Sequence, residues 1–254
     1  MRIGTLCSIH QNEKMYDLVA SGFGFIELCE TRHLGNLPDS FPEGPLIWQC
    51  PDDLPAEYID DHIRAAVLHV WRDHLAAAQK IGVALMVVQF RRPETIVDKT
   101  AFIDHYIDLL TPITAEARAA AIQVVLRNSP DNRDQLKLLR EIVPRVHGLG
   151  IALDIAYAHH RVVKNLATEY LWDSDLGVRI AHIYISDTNG QDSSLRLPLN
   201  CLGNAGIEWA KLVHELRQRY NASITIDVGQ ASMEYLMFSR SQWLSWWQAG
   251  STTP

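Results

Sequence analysis

The sequence of 254 residues holds only four cysteines, Cys7, Cys29, Cys50 and Cys201, and none of them forms a CxxC pair. That scarcity and spacing speak against a zinc knuckle or a disulfide scaffold and lead us to expect reduced thiols and a cytoplasmic protein. No apolar run approaches the roughly 20 residues that cross a bilayer. The chain opens on the strand-like Ile3-Gly4-Thr5-Leu6 rather than on a basic segment followed by an apolar one, so no leader and no membrane partner are expected. Positive charge is in deficit, with 23 Lys and Arg against 30 Asp and Glu and a formal net charge of -7. Such a balance argues against a general affinity for nucleic acid or anionic membranes, while leaving room for a local basic pocket. Linkers, internal repeats and low-complexity tracts are also missing, apart from a polar tail at residues 250–254.

What is present is a regular alternation. Short runs rich in Val, Ile and Leu begin near Ile3, Phe25, Leu46, Leu85, Ile122, Ile151, Ala181 and Ile224. Amphipathic stretches fall around residues 14–21, 58–81, 100–121, 133–147, 162–172 and 207–220, and Gly22, Gly82, Gly148 and Gly150 mark helix ends. Parallel strands covered by crossover helices produce this pattern, and eight of them are what a closed barrel needs. The fold class expected is therefore α/β, a single (β/α)8 TIM barrel over residues 1–254. The stretch 233–247 adds Tyr235, Phe238, Trp243, Trp246 and Trp247. Such aromatic density closes a core or forms the interface of a homo-oligomer, with a ligand site as the less common use.

In a parallel barrel the active site lies at the C-terminal ends of the strands. The polar residues expected there are Glu27 and Glu30 after the second strand, Gln49 on the third, and Gln89, Arg91 and Arg92 after the fourth. Arg127 and Asn128 follow the fifth, Asp154 ends the sixth, His182, Tyr184 and Asp187 accompany the seventh, and Asp227 ends the eighth.

The segments Gly22 to Glu27, Ala76 to Val88, Arg127-Asn-Ser-Pro130, Leu153 to Ala158, His182 to Asp187, Leu197-Pro-Leu199 and Gly203 to Trp209, in this order and spacing, resemble the xylose-isomerase-like, endonuclease-IV-like TIM barrels. That superfamily contains sugar isomerases, epimerases, dehydratases and some nucleases. The resemblance implies a divalent ion held by a glutamate, an aspartate, a histidine and a last glutamate at the ends of different strands. In this chain the first glutamate position is Arg127, the aspartate is kept as Asp154, and the histidine three residues later is Tyr157. His182 matches the first member of a His-x-His pattern whose second member is Tyr184, and the closing glutamate is Asp227. A strand-end histidine of the nuclease-like members is Gln89, and an Asp-x-His reads Ser194-Leu-Arg196.

A permanent cation at the first ligand position repels a dication and pairs with Asp154 or Asp227. No metal is favoured on this reading; if a Mn, Mg or Zn ion is held, Asp154, Asp227 and His182 are its ligands. His159 and His160 either begin the next helix in solvent, the commoner case, or are brought inward toward Asp154 by the loop. Arg91, Arg92 and Arg196 either lie on solvated loops, the commoner case, or line the mouth and attract an anionic group. Cys7 and Cys201 are expected to be inert buried thiols, and Asp187 to Gly190 to form a lid or a plain turn. The function expected is that of a divergent sugar isomerase or epimerase, moving a proton beside a carbonyl of a small polyhydroxylated or anionic substrate. Asp154, Asp227, Glu27 and His182 are the catalytic candidates. Arg127, Gln89, Tyr184, Tyr157, Asp187, Arg91 and Arg196 are the substrate-binding ones. The alternatives are a noncatalytic barrel that binds a small molecule or a partner protein and, disfavoured by the missing histidines and acidic balance, a metal-dependent nuclease.

Overall fold

The structure is a computed structural model that describes residues 1–29, 34, 37–162, 164–203, 206–229 and 232–249. The strands are β1 (Arg2–Ser8), β2 (Ile26–Cys29), β3 (Leu46–Gln49), β4 (Leu85–Gln89), β5 (Gln123–Arg127), β6 (Gly150–Asp154), β7 (Ile180–Ile185) and β8 (Ser223–Ile226). Each pairs in parallel with the next, and β8 pairs with β1, so the sheet closes into the expected eight-stranded barrel.

Around it lie α1 (Asn12–Ala20), α2 (Asp61–Lys80), α3 (Lys99–Ala119), α4 (Gln135–Ile142), α5 (Ala167–Trp172), α6 (Trp209–Arg219) and α7 (Met233–Ala249). Among the described residues, β2 passes to β3 without an α-helix. Two helices are shorter than their sequence patterns. Pro144 offers no N–H to continue α4, and the chain tightens into a 3-10 turn at Val143–Arg145. Asn165 starts α5 late, because its Oδ1 accepts from the N–H of Ala167 while its Nδ2 holds the carbonyl of Ile155.

Strand side chains alternate between two environments. Leu126, Leu153, Ile183 and Ile224 face the helices in the main apolar layer, whereas Phe25, Ile47, Leu85, Val125, Ala152 and Tyr184 pack together inside the barrel. A Cβ on Gly4 would lie 2.4 Å from the Phe25 ring, so that ring occupies space only a bare backbone leaves. Moving two residues toward the C-terminal end of the strands takes Phe25 to Glu27, Val125 to Arg127, Ala152 to Asp154 and Thr225 to Asp227. The inward face thus changes from apolar filling to charge within one pleat. The aromatic C-terminal stretch closes the core in part: Trp243 is fully buried and Trp209 stacks on Trp246, while Tyr235 and Phe238 remain exposed.

Candidate active site

Four charged side chains form a buried cluster in the barrel mouth. Arg127, 4% exposed, lies between two carboxylates: its Nε and Nη2 donate to Asp154 Oδ2 at 3.1 and 2.6 Å, and Nη2 also donates to Asp227 Oδ2 at 2.7 Å. Arg196 completes the group, donating from Nη1 to Asp154 Oδ1 at 3.1 Å and from Nη2 to Oδ2 at 2.9 Å, with its Nε 3.7 Å from Asp227 Oδ2. Arg196 is not the solvated loop arginine the sequence suggested. Backbone hydrogen bonds between Asp187 and Leu197 fold the loop after β7 back over the mouth and carry Arg196 inward. Tyr rings cover the two guanidinium groups, Tyr184 at 3.7 Å from the carbon centre of Arg127 and Tyr157 at 4.1 Å from that of Arg196.

The two carboxylates differ in what they have left to offer. Asp154 uses both oxygens, since Oδ1 also accepts from the N–H of Tyr157 at 2.9 Å, and Asn128 braces its backbone from both sides. Burial pushes the Asp154 carboxyl up, but Arg196, Arg127 and the Tyr157 N–H outweigh it and hold the group below the usual carboxylate range. Burial also opposes the charge on Arg127, yet Asp154, Tyr184 and Asp227 keep its guanidinium more firmly protonated than usual. Among the described residues, Asp227 Oδ1 and Arg127 Nη1 make no hydrogen bond to protein.

Beneath this cluster Glu27 is wholly buried and also fully engaged. Tyr184 donates its hydroxyl to Oε1, Thr225 donates to Oε2 at 2.6 Å, and His182 Nε2 lies 3.3 Å from Oε2. Burial raises the Glu27 carboxyl, and His182, Thr225 and Tyr184 together bring it below its ordinary value. The Tyr184 phenol is pushed well above its own by burial and by Glu27, which keeps it a donor. His182 is tied at both ring nitrogens, to Ser223 Oγ at 2.7 Å and Thr225 Oγ1 at 2.9 Å. Thr225 and Ser223 were not singled out from the sequence; the available signal was their spacing of two and four residues from Asp227 on one strand face.

Other expected residues lie elsewhere. Gln89 donates to the backbone carbonyls of Phe90, Arg127 and Asn128, beside the cluster rather than in it. Arg91 pairs with Glu57 and the carbonyl of Asp52. Asp187 is buried and accepts from the N–H groups of Thr188, Leu202 and Ile207, fastening its loop, and Gly206 leaves the room it occupies. His160 is buried between the carbonyls of Pro130 and Gln191 and His159 is half-buried, so neither begins a solvated helix. Residues Tyr157–His159 turn as a 3-10 helix instead, with His160 just past its end. Cys7 is buried and Cys201 exposed. Glu30 lies outside the described residues.

The donor set does not suit a divalent ion. Guanidinium groups already occupy Asp154 and Asp227, His182 is committed to hydroxyls below, and among the described residues no three His, Cys, Asp or Glu side chains are grouped to hold a metal. In place of ligands around a cation, the mouth holds two cations around two carboxylates.

Eight parallel strands closed into a ring and flanked by helices define a TIM barrel. The chain belongs to the xylose isomerase-like TIM barrel family, whose model matches residues 46–243. Similar solved structures include a D-tagatose 3-epimerase-like protein, at 21% identity and a TM-score of 0.79 over 99% of this chain and 98% of that one. A 3-keto-D-glucoside 4-epimerase from E. coli matches at 18% identity and 0.70, covering 98% and 99%. The IolI protein with a bound zinc atom matches at 14% and 0.71, covering 99% and 96%. No curated protein sequence matches the chain. At these identities the likeness is one of fold. Among the described residues, no helix is long and apolar enough to cross a membrane.

Proposed function

We propose that this chain is a sugar isomerase- or epimerase-like protein in which the Arg127 and Arg196 guanidinium groups stand in place of a divalent ion. Its substrate is a small polyhydroxylated carbonyl compound. The observation that carries the reading is Arg127 held between Asp154 and Asp227 with Nη1 unclaimed by any described protein acceptor. A guanidinium so fixed is a preorganised donor for a carbonyl oxygen and for the negative charge that grows on it as a neighbouring C–H is broken.

The base is Asp227. Its Oδ1 is the carboxylate oxygen of the cluster without a described protein partner, whereas Asp154 and Glu27 have both oxygens taken. Asp227 Oδ1 accepts the proton from the hydroxyl-bearing carbon beside the carbonyl and Arg127 Nη1 steadies the resulting enediolate oxygen. Asp227 then delivers the proton to the former carbonyl carbon while the hydroxyl proton passes to the former carbonyl oxygen, an isomerisation, whereas return to the original carbon regenerates the substrate with a solvent proton exchanged in. Asp154 fixes both guanidinium groups; Glu27, Tyr184, Thr225 and His182 form the rigid floor below them.

Solvent deuterium uptake tests this directly, with keto sugars, inososes and their phosphates incubated in D2O containing EDTA. Exchange at a carbon next to the carbonyl is expected for at least one compound, at the same rate with and without chelator. Exchange that disappears with chelator contradicts the guanidinium reading. Binding without exchange across the panel leaves the noncatalytic alternative, which the internal neutrality of the four-charge cluster would then favour.

A further inference from the structure

Next to the charge cluster, at the ends of β4 and β5, a cleft of about 270 Å³ is lined in part by Gln89, Arg91, Arg92, Asp131 and Tyr157. Tyr157 forms a wall of this cleft and also the ring under Arg196, and Gln89 holds the carbonyl of Arg127, so the cleft borders the mouth directly. Arg92 has an unusual position in it. Its side chain is only 8% exposed, yet its Nε is buried without any hydrogen-bond partner. The guanidinium is otherwise anchored by Nη1, which donates to the carbonyl of Arg133 at 3.1 Å.

The charge on Arg92 is also poorly answered. Its nearest carboxylate is Asp131, at 3.6 Å, and Arg133 already claims both oxygens of that group at 2.6 to 3.2 Å. Arg91 is neutralised by Glu57, and Asp52 gives Arg91 its carbonyl. The charge on Arg92 is thus only partly answered by protein, which favours an oxyanion beside it, and the edge of a guanidinium suits a phosphate or carboxylate in two-point contact.

We infer that this cleft takes the anionic end of the substrate, a phosphomonoester or a carboxylate, with the Arg92 guanidinium as its principal donor. The inference rests on the proposed sugar-like substrate and narrows it to a sugar phosphate or a sugar acid. The carbonyl end lies toward Arg127 and Asp227, and Arg92 is a binding residue that takes no part in proton transfer.

Calorimetric titration of the full chain with D-fructose 6-phosphate, D-fructose and D-gluconate tests it, in the parent, Arg92→Met and Arg92→Lys. A charged hydrogen-bond pair corresponds to about tenfold or more in affinity. The parent is expected to bind at least one of the two anions more tightly than D-fructose by that factor, and the anion preferred identifies the group. Arg92→Met is expected to bring the ratio to within about twofold, with Arg92→Lys between the two. A parent that does not discriminate overturns the inference without need of a variant. So does a folded Arg92→Met protein that keeps the parent's preference. Because only binding is read, the subsite can stand while deuterium exchange fails, and exchange on neutral sugars can stand while the subsite fails.

Discussion

Arg127→Met should lower stability by about 3–5 kcal/mol at neutral pH, the cost of removing one partner from a buried ion pair. For a chain of this length that is a fall in Tm of roughly 6–20 °C. Methionine fills most of the volume but leaves Asp227 with only the more distant Arg196 at 3.7 Å, and Asp154 with one guanidinium instead of two. The loss should depend on pH with a definite sign. The folded-state pKa of Asp154 is lowered, so its contribution is fully present above the unfolded value of about 3.9 and is lost as pH falls through the folded value. The gap between parent and variant should therefore be widest above about pH 4 and narrow in acid. Adding Asp227→Asn to Arg127→Met should recover part of the loss, because the carboxylate left without its guanidinium is then neutral. Denaturant unfolding across pH measures all three effects; a variant as stable as the parent at pH 7 would mean that the cluster is not a closed network in solution.

Asp227→Asn by itself should reduce deuterium exchange by about 10²–10⁴-fold, the usual contribution of a positioned general base. The amide keeps an oxygen for Arg127 Nη2 and retains the side chain's shape, so the guanidinium should stay in place and substrate affinity should change far less than exchange. Asp154→Asn should behave in the opposite sense. Asp154 accepts from both arginines and from the N–H of Tyr157, so its loss should appear first in stability and in misplacement of Arg127. The comparison separates a proton carrier from a positioning residue. Equal losses of exchange in the two variants at unchanged stability would remove Asp227 from the role of base.

The strands were legible because period and composition agree: buried parallel strands read as Val- and Ile-rich runs whose neighbours are amphipathic, and all eight appear where those runs lie. Helix ends were less so, since Pro144 and Asn165 act through one missing donor and one side-chain hydrogen bond to the Ala167 N–H that hydrophobic periodicity does not register. Within the mouth, Arg127, Asp154 and Asp227 were readable from their positions at strand ends, and their mutual contacts follow from strand alternation and barrel closure. Arg196 was harder, because its entry depends on a backbone bridge between Asp187 and Leu197 that no residue type announces. The layering of Glu27 beneath the arginines, with Thr225 and Ser223 as its supports, needed the relative heights of β2, β7 and β8, which register alone sets.

On the proposed reading, guanidinium groups rather than a metal ion answer the carboxylates in this barrel mouth. Crystals soaked in zinc chloride and measured at the zinc absorption edge test it most directly. The result expected is no anomalous peak within bonding distance of Asp154 or Asp227, with Arg127 lying between them. A full-occupancy zinc site on those two carboxylates, with Arg127 turned away, would contradict it.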